Sequence, residues 1–155
     1  MVTGLVRAEV RFVVIGGVAA TAHGSRRVTT DLDICYDPAP DNRARLAGLL
    51  AGWHAYLRGI ESGVPFLMDV VTLERSPILT LTTDEGDLDC LDEVRGVGSY
   101  RAVARASEDV TVGSVTFPVL QLPALIRAKR ATGRPRDREA LLELEALSEL
   151  KRRAD

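Results

Sequence analysis

The sequence predicts an α+β fold, from two observations. Strand-like runs crowd the first two-thirds of the chain and the last part is helical, which disfavours a regular alternation of parallel strands and helices. Two of those runs, 109–112 and 115–119, are separated only by Gly113-Ser114, a spacing that suits an antiparallel hairpin.

The elements follow in order. Val10 to Ile15 is a β-branched run stopped by Gly16-Gly17 and reads as a buried strand. Val18 to His23 is alanine-rich and suits a short helix ended by the turn at Gly24-Ser25. Asp31 to Tyr36 alternates polar and apolar residues, a second strand closed by Asp37-Pro38. Leu46, Leu49, Leu50 and Trp53 recur at helical spacing within 42–53. Strand candidates come next at 66–73, 78–82 and 87–91, then a short helix over 99–106 and the hairpin. Helices over 122–132 and 138–152 flank a break at Gly133-Arg134-Pro135.

Composition narrows the class. A chain of 155 residues, 46% hydrophobic and 27% charged, is long enough to bury a core without metal or disulfide staples and reads as one domain over 1–155. No apolar run reaches the roughly 18 residues of a membrane span. The start, MVTGLVRAEV, has no secretory pattern, and Cys35 and Cys90 form neither a disulfide framework nor a zinc motif. A cytoplasmic protein with reduced thiols is expected. The net charge of −2 argues against coating nucleic acid in bulk, though not against a local basic patch.

Chemistry concentrates between residues 16 and 34. Gly16-Gly17 lies between a strand and a helix, where bare backbone N–H groups suit an anion. Asp31 and Asp33, two apart on a strand, send both carboxylates to one face, while Leu32 and Ile34 point to the core. Paired carboxylates repel unless a cation sits between them, and magnesium suits such a pair because its other ligands come from water and phosphate. A phosphate cradle beside a magnesium pair is what phosphoryl or nucleotidyl transfer requires. Either feature alone is commonplace, the diglycine as a turn and Asp-x-Asp as a solvated strand edge; their order and strand context give them weight.

Gly-Gly, 13 intervening residues and Asp-hydrophobic-Asp-hydrophobic resembles the signature of the DNA polymerase β-like nucleotidyltransferase superfamily. The string His23-Gly24-Ser25-x-Arg27-x-Thr29-x-Asp31-x-Asp33 is closest to its small bacterial members, the MenT and AbiEii-type toxins of toxin–antitoxin pairs. The likeness extends to 86–91 and 125–137 and is weakest between 40 and 75. It implies a mixed central sheet flanked by helices with a C-terminal helical segment. It also implies two magnesium ions on Asp31, Asp33 and a third carboxylate, for which Asp89 is chosen ahead of its rivals Asp87 and Asp69. Lys129 and Asp137 match functional positions of the toxins, with Arg136 where a Lys is usual. A nucleoside triphosphate would lie against Gly16, Gly17, Ser25 and Lys129, with Arg27 and Thr29 alternating into Asp31. Gly17 stands where the superfamily often has Ser, leaving backbone contacts to phosphate there.

The implied reaction moves a nucleotide to an RNA acceptor, the 3′ end of tRNA, blocking translation, with a cognate antitoxin as partner. Acceptors that are small molecules or proteins, and a catalytically silent nucleotide-binding domain, are the competing expectations. Six basic residues between Arg127 and Arg138 (Arg127, Lys129, Arg130, Arg134, Arg136 and Arg138) supply cations for phosphates or simply solvate a helix face. His23 reads as a packed or capping residue before a base, and Cys35 as structural.

Overall fold

A computed structural model describes residues 1–61, 63–133, 135 and 137–154, so the expectations for Arg134 and Arg136 lie outside the described residues. The first element is a helix the sequence reading omits, α1 (Val2–Arg7). Its Gly4 is required by a close approach: a Cβ there would lie 2.5 Å from Cζ2 of Trp53. Strand β1 (Phe12–Ile15) is buried throughout and passes without a loop into α2 (Gly16–Ala22). Gly16 permits this with φ +64°, a left-handed conformation that side chains disfavour.

Strand β2 (Asp31–Tyr36) follows, then α3 (Pro40–Gly52), which opens with Pro40 in its first turn. The buried Asn42 ties α3 to β1: its Oδ1 accepts from the Arg11 N–H at 2.6 Å, and its Nδ2 donates to the carbonyls of Arg11 and Asp37. Next come β3 (Tyr56–Leu57), α4 (Val70–Arg75), β4 (Ile78–Thr83) and β5 (Gly86–Leu91). A small ribbon pairs β6 (Glu93–Val94) with β7 (Gly98–Ser99), before α5 (Tyr100–Arg105) and the hairpin β8 (Ser107–Val112) with β9 (Val115–Leu120). Two helices end the chain, α6 (Leu122–Thr132), capped by left-handed Gly133, and α7 (Asp137–Ala154), which packs back on α6.

The main sheet has seven strands in the order β3-β4-β5-β2-β1-β9-β8. The β2–β5 and β1–β9 pairs are parallel and the rest antiparallel, so the fold is α+β with a mixed sheet. Leu32, Ile34, Leu88 and Cys90 bury one face of the β2–β5 pair. The opposite face carries the acids, because side chains alternate along a strand. Parallel register sets Asp33 beside Asp89 and Asp31 beside Asp87.

One expected strand is absent. Residues 66–69 form no strand, and 70–75 belong to α4. β-branched Val70-Val71 favours a strand locally, but Asp69 overrides it as an N-cap, its Oδ1 accepting from the Thr72 N–H at 2.8 Å. Leu73 then turns fully into the core, where its carbonyl accepts from Tyr36 Oη at 3.3 Å. Asp69 is therefore a helix cap, not an acid on a strand beside Asp31. Among the described residues no helix is long and apolar enough to cross a membrane.

Candidate active site

Asp31 and Asp33 on β2 and Asp89 on β5 present carboxylate oxygens that all lie within 4.8 Å of one another. Asp87, which spacing left level with Asp89, falls outside this trio. Thr82 Oγ1 donates to its Oδ1 at 2.8 Å across the β4–β5 pair. Asp33 is the innermost of the three. Burial, then the neighbouring charges of Asp31 and Asp89, push its pKa up from 3.8 to about 6, while the Gly17 backbone N–H and Lys129 pull the other way. Burial also raises Asp89, opposed by Arg58.

The diglycine supports this wall at contact distance. A Cβ on Gly16 would fall 2.0 Å from Asp33 Oδ2, so only glycine lets the strand end pass the carboxylate. A Cβ on Gly17 would fall 2.5 Å from Thr29 Oγ1. The Thr29 hydroxyl thus fills the space that a side chain at position 17 would need, and it donates to Asp31 Oδ1 at 3.1 Å.

Beside the acids opens a cavity of about 110 Å³ lined by Gly17, Ser25, Arg27, Thr29 and Lys129, with Ala20, Val28, Ala140 and Leu144 as apolar walls. Five of the six residues expected to meet a nucleotide therefore share one cavity; the sixth, Gly16, faces Asp33. The space is small beside the roughly 300–1,000 Å³ of a whole-ligand pocket, so it suits a phosphate group and not an entire nucleotide.

Three polar groups of that cavity, Lys129, Arg27 and Ser25, already have carboxylate partners on α7. Lys129 Nζ donates to Asp137 Oδ1 at 3.3 Å, Arg27 Nη1 lies 3.4 Å from Glu139 Oε2, and the buried Ser25 hydroxyl donates to Glu143 Oε2 at 3.0 Å. The Arg26 N–H donates to the other Glu143 oxygen at 3.0 Å, and these two donors, backbone first, hold the Glu143 carboxyl below its usual pKa. The sequence reading missed Glu139 and Glu143; their spacing of four on one helix face was the signal, and it does not say what they face.

Arg58, next after β3, was not anticipated. Its Nη2 donates to Asp89 Oδ1 at 2.7 Å and to the Leu81 carbonyl at 3.0 Å, while Nη1 lies 3.7 Å from Asp31 Oδ2 and Nε 3.3 Å from Asp87 Oδ2. No motif surrounds it; the signal was the need of crowded acids for a cation. His23 proves to be a packing residue: its Nε2 donates to the Leu120 carbonyl at 2.8 Å, which leaves Nδ1 to accept from Lys151 at 3.4 Å. Cys35 is fully buried, and burial pushes its thiol up to about 12, as a structural residue requires.

A mixed sheet followed by C-terminal helices is a fold found among solved proteins. No family model and no curated protein matches the chain. The chain is similar in structure to a "putative nucleotidyltransferase" from Thermotoga maritima, with a TM-score of 0.60 over 91% of this chain and 85% of that one. Sequence identity between them is 16%, so the likeness is one of fold.

Proposed function

We propose that the chain is a metal-dependent nucleotidyltransferase, taking a nucleotide from a nucleoside triphosphate and releasing pyrophosphate. One observation carries this reading: three carboxylates within 4.8 Å of one another adjoin a cavity lined by Ser25, Arg27 and Lys129. The donor set fits magnesium, being made of hard carboxylate oxygens that burial and mutual repulsion leave in need of positive charge. Asp31, Asp33 and Asp89 would hold the ions, which supply charge neutralisation at phosphate oxygens and acidify the acceptor hydroxyl.

The chain's own groups bind and orient. Lys129 offers a point charge and Arg27 a fork to phosphate oxygens, with the Ser25 hydroxyl as a further donor. A phosphate entering the cavity exchanges places with the carboxylates of Asp137, Glu139 and Glu143. Ala20, Ala140 and Leu144 keep water from that end, which strengthens each charged contact.

The acceptor is proposed to be RNA, the 3′ end of tRNA, in the role of a toxin restrained by an antitoxin; the support is the sequence resemblance. The exposure of Arg127 and Arg138 supports this reading, because it leaves their cations open to phosphates. Arg130, however, is engaged by Glu145 at 2.6 Å, which thins the basic lobe and keeps a small-molecule or protein hydroxyl as a second acceptor class. Purified protein incubated with magnesium, each α-labelled triphosphate and total tRNA should move label into RNA. Label entering only an aminoglycoside or a protein would replace the acceptor, and no transfer to any acceptor would leave a silent nucleotide-binding fold.

A further inference from the structure

Arg58 stands in an arrangement that a simple ion pair does not need. Its guanidinium meets carboxylates at positions 31, 87 and 89, two of them in the trio and one outside it. Its backbone is fixed, with the N–H donating to the Thr80 carbonyl at 2.9 Å, so only the side chain is free to change partner. Nη2 is bonded to Asp89 and Leu81, yet the buried Nε has no hydrogen-bond partner among the described residues. Asp87 Oδ2 lies 3.3 Å from that Nε, near enough for charge attraction but not aligned as a bond. A buried donor left unmade is costly, and a small rotation toward Asp87 would satisfy it.

We propose that Arg58 is the resident counter-cation of the acid trio and yields to a divalent ion by shifting onto Asp87. Asp87 is the receiving carboxylate, held in place by Thr82 Oγ1 at 2.8 Å and lying outside the trio. Without an ion, Arg58 offsets the repulsion among Asp31, Asp33 and Asp89 and fixes Asp89 in register. With an ion, the same charge moves two residues along β5 to Asp87, so Asp31 and Asp89 are released as ligands while Arg58 gains the bond its Nε lacks. Arg58 is thus a positioning residue acting through Asp89, and the inference rests on the reading of the trio as a divalent-cation site.

The test is calorimetric titration of Mn²⁺ into nucleotide-free protein, for the wild type, Arg58→Met, Asp87→Asn, the double variant and Arg58→Lys. Arg58→Met should bind Mn²⁺ about tenfold more tightly and Asp87→Asn about tenfold more weakly, since a neighbouring charge is worth that much at short range. Arg58→Lys keeps the charge and should stay within about threefold of the wild type. In the Arg58→Met background the Asp87→Asn effect should shrink below about twofold, because Asp87 acts through Arg58. An equal loss in both backgrounds would make Asp87 a ligand or a plain field charge, overturning the exchange. Unchanged affinity in Asp87→Asn overturns it as well, and decides the matter should Arg58→Met not fold. Mn²⁺ binding by the wild type with no tightening in folded Arg58→Met sinks this inference but leaves the metal reading standing; no binding by any variant sinks both.

Discussion

The two halves of the site are charged in opposite ways and handle it differently. On the β2–β5 wall, Asp31, Asp87 and Asp89 share the guanidinium of Arg58, and Asp33, the innermost acid, is pushed up to about 6. In the adjoining cavity Lys129, Arg27 and Ser25 each have an α7 carboxylate of their own. The wall is short of positive charge and asks for a cation from outside. The cavity is internally balanced, so an incoming anion must displace protein carboxylates. A triphosphate with its divalent ions answers both conditions in one ligand.

Substitutions can break that contrast, and the largest effect should come from the wall. Asp33→Ala should lower nucleotidyl transfer by about a thousandfold or more while the circular dichroism spectrum stays that of the folded chain. Removing a crowded acid relieves repulsion, so loss of activity through unfolding is not the expected route. Gly16→Ala should cost about 2–3 kcal/mol in denaturant unfolding, because the left-handed backbone and the Asp33 carboxylate both resist a Cβ.

Smaller effects are expected from the cavity. Lys129→Ala should cut kcat/KM for the triphosphate about ten- to hundredfold, the worth of a charged hydrogen bond, and leave RNA binding nearly intact by filter retention. Glu143→Gln should act in the opposite sense. Weakening the α7 grip on Ser25 and Arg26 should lower the triphosphate KM by about two- to fivefold. A rise in KM would show that Glu143 organises the cavity and does not compete for it.

Legibility followed the same division. Strands β1, β2, β5, β8 and β9 and helix α6 were readable because alternation, turn residues and caps agree there with the tertiary packing. Asp31, Asp33 and the cavity residues Gly17, Ser25, Arg27 and Thr29 lie in the one stretch 16–34, whereas Asp89 and Lys129 came from the family resemblance. The stretch 56–75 was not readable. Val70-Val71 pointed to a strand, and the weaker Asp69 cap signal decided for a helix. Arg58 lies in that stretch, and its role depends on strand order, with β3 and β4 placed beside β5. No sequence neighbour of Arg58 announces that.

The pH dependence of stability sharpens the account of the wall. Asp33 carries a folded pKa of about 6 against 3.8 ordinarily, so between those values the folded chain holds a proton that the unfolded chain has released. That contribution favours the fold at low pH and is lost as pH rises through about 6. Stability relative to Asp33→Asn should therefore fall over this window in metal-free buffer.

The most direct measurement is the melting temperature of nucleotide-free protein at pH 7.5, with and without magnesium, for the wild type and Asp33→Asn. If the trio takes a divalent ion, magnesium at about a hundred times its dissociation constant should raise the wild-type midpoint by about 5 °C or more and leave Asp33→Asn unmoved. Equal shifts in both proteins, or none in the wild type at any magnesium concentration, would contradict a cation site built from Asp31, Asp33 and Asp89.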